Sequence, residues 1–148
     1  MSEKGLSVFD DTLHTTHVWL NDLMDRLDMR DRDDAYRALR VTLHALRDRL
    51  PVNTAAGLAA QMPMLIRGFY YEGWRPGAGA SGDRTEEDFV SHIEQAFERT
   101  AEYYDPGEVA RAVFGVLNDR ITAGEIENVK RCLPEHIRNM WPAPKKGD

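Results

Sequence analysis

The feature that most constrains this chain is that it is written twice. The segment from Arg40 to Tyr70 lies over Arg111 to Trp141 without a gap, at an offset of 71 residues. Asp48-Arg49 meets Asp119-Arg120, Pro63 meets Pro134, and Ile66-Arg67 meets Ile137-Arg138. Apolar character is kept at Leu43/Phe114, Leu50/Ile121, Leu58/Val129 and Met62/Leu133. The preceding stretch matches at an offset of 70, through Trp19/Phe89, Leu23/Ile93 and Leu27/Phe97. A period of this size means one supersecondary unit used twice, each copy needing the other to bury its apolar face.

Each copy reads as helices. Phe9, Leu13, Leu20, Met24 and Leu27 recur at helical spacing, as do Leu39, Leu43, Leu46 and Leu50. In the second copy Phe89, Ile93 and Phe97 form one stripe, and Val109, Val113, Val116 and Leu117 the next. No stretch alternates with period two, so no strand is expected. Thr85 with Asp88, and Thr122 with Glu125, have the spacing of capping boxes. Asp105 precedes Pro106 and Glu108 as a cap would, and Asp31 and Asp34 are expected to do the same in the first copy. Pro63 and Pro134 lack an N–H and cannot continue a helix, so each is expected to open a short one. The expected fold is all-α: two tandem four-helix units, 9–74 and 85–142, packed about a pseudo-two-fold axis into one bundle. A Gly/Ala-rich linker spans 75–84 and a tail spans 143–148.

Composition narrows the function. The net charge is -6, which opposes nucleic-acid binding; the one basic pair, Lys145-Lys146, lies in the tail. No apolar run approaches the ~20 residues that span a bilayer. The N-terminus has no secretion signal, and Cys132 is the only cysteine, so a cytoplasmic location is expected.

The run Phe9 to Leu20, the Leu46-Arg47-Asp48-Arg49-Leu50-Pro51 segment, and the doubled Leu/Met-Pro…Ile-Arg closings at Met62–Arg67 and Leu133–Arg138 together resemble the bacterial family called domain of unknown function 2267. The resemblance runs from about Phe9 to Pro142 and implies a soluble helical protein. It implies no activity, substrate or catalytic residue.

Candidate chemistry is sparse. Gly77-Ala78-Gly79-Ala80-Ser81-Gly82 matches G-x-G-x-x-G, but no strand precedes it and Asp83 follows, so a linker accounts for it. Asp28 to Asp34 lacks the glycine and glutamate of a calcium loop. His14 and His17, spaced i, i+3, can share a helix face and are the metal-ligand candidates; a site would need further donors. Otherwise His17 is a core-boundary residue and His14 faces solvent. Cys132 reads as a small buried residue, with Lys130 and Arg131 beside it. Tyr70, Tyr71, Trp74 and Trp141 are candidates for an interaction surface; the competing reading seals them against the core. Arg49/Arg120 and Arg67/Arg138 recur in both copies, which favours a structural role on helix-end carbonyls or carboxylates. No catalytic constellation can be assembled, and no cofactor is indicated. The expected function is a non-enzymatic protein-interaction or adaptor module, possible also as a homo-oligomer. The alternative is a small-ligand or metal-binding protein with its site between the two units.

Overall fold

The computed structural model describes residues 5–76 and 86–143, and among these residues there are eight α-helices and no strand. They are α1 (Ser7–Leu27), α2 (Arg32–Arg47), α3 (Val52–Ala59), α4 (Met64–Tyr71), α5 (Glu86–Ala96), α6 (Pro106–Arg120), α7 (Ala123–Arg131) and α8 (Glu135–Arg138). The all-α expectation holds. The Gly77–Gly82 motif, Thr85 and Lys145-Lys146 lie outside the described residues.

Local chemistry sets the ends of these helices. Asp105 accepts from the Glu108 N–H at 3.0 Å with Pro106 at the first helical position, and Thr122 Oγ1 accepts from the Glu125 N–H at 3.4 Å. Each satisfies an N–H that the helix itself leaves without a partner. Asp31 caps α2 by accepting from Asp33 N–H at 2.9 Å. Asp34 does not share that task, as the sequence had suggested: it is 7% exposed and its carboxylate accepts the Tyr104 hydroxyl at 2.9 Å. Pro63 and Pro134 sit at the N-cap positions of α4 and α8 with extended ψ of 154° and 158°, so both open short helices. At the far end of α1, Asp28 takes the left-handed conformation and returns its N–H to Met24 O.

Helices α2 and α6 pack on each other at the centre. α1 lies on α2, α4 and α6, while α5 lies on α2, α6 and α8, and α3 meets α7. Leu39, Leu43 and Leu46 of α2 and Val113, Phe114 and Leu117 of α6 are at most 1% exposed. Each such side chain contributes roughly 1.5–3 kcal/mol by leaving water. Trp141 stacks on Phe114 with ring centroids 4.3 Å apart and planes 4° apart.

Polar ties complete the packing. Arg26 of α1 pairs with Asp22 at 2.9 Å and with Asp119 of α6 at 2.5 Å, and Arg120 reaches Asp22 at 3.4 Å. The Arg26 guanidinium lies on the α6 backbone at Gly115, where a Cβ would overlap it. Arg47, only 5% exposed, donates from Nη1 to the carbonyls of Tyr70 (2.5 Å) and Glu72 (2.7 Å), where α4 ends. Asn118, the residue 71 positions later, donates to Pro142 O at 3.0 Å.

One stripe departs from expectation. Leu20 and Leu23 are buried, but Phe9 and Leu13 are 56% and 46% exposed. The described part of α5 starts at Glu86, which aligns with Thr16 at the 70-residue offset, so the first turns of α1 align with residues outside the described ones.

Candidate functional site

Three helices wall a groove of about 830 Å³. α1 contributes Phe9, Leu13 and His17, α4 contributes Met64, Leu65 and Phe69, and the start of α2 closes one end with Arg32, Asp33 and Tyr36. The geometry follows from the packing of α4 on α1. The first N–H groups of α4 have no intrahelical partners, as at any helix start, and Thr12 Oγ1 of α1 accepts from Leu65 N–H at 2.9 Å. That bond seats the first turn of α4 beside α1. The other end is fixed by the Tyr36–Phe69 edge contact at 5.2 Å and by His44 Nε2, which donates to Phe69 O at 2.6 Å. Burial holds the His44 imidazole below its ordinary 6.5, the nearby Arg47 and Arg40 adding to the effect against the pull of the Phe69 carbonyl, so the ring is neutral at pH 7.

The groove is apolar and open. Met64 and Leu65 are 45% and 41% exposed, and together with Phe9 and Leu13 they form its mouth. Gly68 lies on its wall with nothing within 4 Å of where a Cβ would stand. Its charged groups gather at the closed end. Arg32 is exposed and reaches Asn21 Oδ1 at 3.3 Å, Asp33 is exposed, and Glu72 is held by Arg40 at 3.0 Å. An apolar trough with a polar end can exclude water from apolar side chains and orient them. Its two threonine hydroxyls are engaged by the backbone, Thr16 donating to Thr12 O and Thr12 accepting from Leu65 N–H.

The sequence candidates separate on this frame. His17 is a half-buried part of the groove wall and His14 is exposed. Among the described residues no group of three His, Cys, Asp or Glu side chains is placed to hold a metal ion. Tyr70 and Trp141, offered as surface residues, are instead core: Tyr70 is fully buried with its hydroxyl donating to Ala55 O at 2.9 Å, and Trp141 is 7% exposed against Phe114. Tyr71 and Trp74 are half-buried and stack on each other at 5.2 Å. Cys132 is exposed rather than buried, 3.6 Å from Thr54 Oγ1.

The repeated arginines sit where helix ends need donors. Arg67 Nη2 donates to Met62 O and Arg138 Nη1 to Leu133 O, both at 2.9 Å and at matching positions. Arg49 donates to Ala45 O at 2.7 Å and lies over the Phe89 ring, 4.8 Å from its centroid. Its counterpart Arg120 joins the Asp22 ion pair instead.

A family model described as "Uncharacterized conserved protein (DUF2267)" matches residues 16–140. The chain belongs to this family. The match takes in α2 and α4 of the groove and α1 from Thr16 onward; Phe9 and Leu13 lie before it. No curated protein matches the chain. Among the described residues no helix is long and apolar enough to cross a membrane.

Met64, Leu65 and Gly68 were not among the residues the sequence singled out. At the 71-residue offset of the sequence the aligned residues are Glu135, His136 and Asn139, polar where these three are apolar or small.

Proposed function

We propose that this protein is a non-enzymatic interaction module, and that the groove between α1 and α4 docks an amphipathic helix of a protein partner. The observation that supports this is the cluster of large apolar side chains left roughly half exposed around it: Phe9, Leu13, Met64 and Leu65. Scattered exposed apolar residues are ordinary, whereas a contiguous patch rimmed by charge marks an interaction site. The shape favours a helix. From Phe9 to Leu20 the α1 wall is roughly 16 Å long at 1.5 Å per residue, about three turns of a partner helix. Two helical walls present ridges that an i, i+3/i+4, i+7 row of apolar side chains can interdigitate with. Arg32 and Asp33 at the closed end set the direction of a partner carrying complementary charges.

The test is a photo-crosslinking residue placed at Leu65 on the rim, with a control at Glu127, exposed on α7. Adducts are expected from position 65 and not 127. They should map to a helical segment with apolar residues on one face and disappear when Gly68→Leu fills the groove. Equal adduct yields at the two positions, or adducts indifferent to the filled groove, would overturn the reading.

A further inference from the structure

We infer that the helix seated in this groove is the start of α1 from a second copy of the chain, so that the protein pairs with itself about a two-fold axis. The inference rests on the docking reading above and names its occupant. The groove calls for a short helix with apolar residues on one face. The first turns of α1 are such a helix. Leu6, Phe9 and Leu13 are spaced i, i+3 and i+7, and are 61%, 56% and 46% exposed. Among the described residues no element of the same copy covers them fully. Ridge and groove are adjacent on one surface, which is the condition for a self-complementary, isologous contact: one two-fold operation covers both copies' ridges and fills both grooves.

Charge points the same way. Asp10 lies in the first turn of α1, next to Phe9 of the ridge. The closed end carries Arg32 and Asp33, with Arg37 exposed one turn further along α2 and Arg40 bound to Glu72. Arg32 has a long contact with the neutral Asn21 at 3.3 Å. Antiparallel pairing of the two α1 helices carries Asp10 of one copy toward Arg32 of the other. The parallel alternative brings like ends together, at a cost that like-charge juxtaposition imposes.

The area sets the strength. Leu6, Phe9, Leu13, Tyr36, Met64 and Leu65 are each 39–61% exposed. With ~170 Å² for a large side chain this is roughly 500 Å² per copy, or about 1,000 Å² for the pair, the lower bound of a specific interface. The dimer is therefore concentration-dependent, with free monomer in exchange.

Sedimentation velocity on the full chain, from low micromolar to several hundred micromolar, tests this. The mass is expected to rise from one chain to two. Gly68→Leu, whose side chain enters open space, and Leu13→Arg, at an already exposed site, should keep the helical circular-dichroism spectrum and remain monomeric. Asp10→Arg and Arg32→Asp should each weaken association several-fold, and the double exchange should restore it. A wild-type protein monomeric throughout, or a dimer untouched by both Gly68→Leu and Leu13→Arg, would overturn the inference. The docking reading fails separately. A monomeric wild type whose Leu65 crosslinks map to another protein removes the second copy and keeps the groove; no groove-specific crosslink removes both.

Discussion

Replacing Arg47 with methionine should destabilise the fold by about 3 kcal/mol, because one buried guanidinium holds the end of α4. The last carbonyls of a helix have no intrahelical donors. Here Arg47 Nη1 serves two of them, Tyr70 O at 2.5 Å and Glu72 O at 2.7 Å, just before Gly73 turns the chain with φ of +76°. Hydrogen bonds from a charged donor contribute roughly 1.5–3 kcal/mol each, and a buried acceptor left bare costs a similar amount. Two such bonds from one nitrogen do not add in full, and methionine also removes the cost of burying the charge, which brings the sum back to about 3 kcal/mol. The Asp48 partner at 3.0 Å is 46% exposed and adds little. For a chain of this size 3 kcal/mol corresponds to a fall in Tm of roughly 6–12 °C. Thermal and urea unfolding followed by helical circular dichroism measure it. Asn118→Ala removes one neutral bond to Pro142 O and should cost about 1 kcal/mol, and Arg47→Lys, a single ammonium unable to match the fork, should fall between the two. If Arg47→Met and Asn118→Ala cost the same, the charged, doubly bonded donor is not what fixes α4, and the reasoning fails.

Tyr104 donates to the buried Asp34 carboxylate, and burial together with that bond pushes its phenol up to about 12 from 10.0. A raised phenol stabilises the fold below pH 10 and the benefit is lost as pH rises toward 12. Tyr104→Phe should therefore unfold more easily at neutral pH yet lose less stability between pH 10 and 12, with Tyr70, also raised by burial, common to both proteins. His44 has the opposite sense: its folded-state value lies below 6.5, so the unfolded chain takes up protons first and stability falls as pH drops through and below 6.5. His44→Gln, which keeps a donor for Phe69 O, should flatten that acid limb in urea titrations at several pH values. Gly68→Ala meets open space and should stabilise by about 0.5–1 kcal/mol through helix propensity. Gly115→Ala offers the same propensity but displaces the Arg26 guanidinium from Asp119 and Asp22, so its unfolding midpoint should lie clearly below that of Gly68→Ala.

The helices and their ends were legible because their causes are local. The Asp105 and Thr122 caps and the helix starts at Pro63 and Pro134 depend on residues within one turn of each other. Arg67 and Arg138, aligned at the 71-residue offset in the sequence, each donate to a main-chain carbonyl five residues earlier, Met62 O and Leu133 O. Asp34 and Cys132 were misjudged because their surroundings come from far along the chain. Tyr104, 70 residues away, turns Asp34 from a cap into a buried acceptor, and Thr54, 78 residues away, is the neighbour of Cys132.

Periodicity also failed at the groove, and the reason is general. Spacing shows which face of a helix is apolar and says nothing about what covers that face. Phe9 and Leu13 carry the same spacing as Leu20 and Leu23, yet only the latter pair is covered. Tyr70 and Trp141 are the converse: amphipathic side chains suited to a surface, drawn into the core because Ala55 O and the Phe114 ring are there to receive them. What could have separated the two cases is the repeat read for its differences. Arg67 and Arg138, which agree at the 71-residue offset, each donate to a nearby main-chain carbonyl. Met64/Glu135 and Leu65/His136 differ in polarity at the same offset, and we read that difference as marking a task of the first segment alone. If docking is that task, exchanging Met64 and Leu65 for the Glu and His of the second unit should abolish the groove's crosslinks and the concentration-dependent mass together. Both side chains are already 41–45% exposed, so the unfolding midpoint should move by less than about 0.5 kcal/mol-equivalent, as surface substitutions do. A large loss of stability would instead mean that these two residues hold α4 in place, and the difference between the units would then be one of packing.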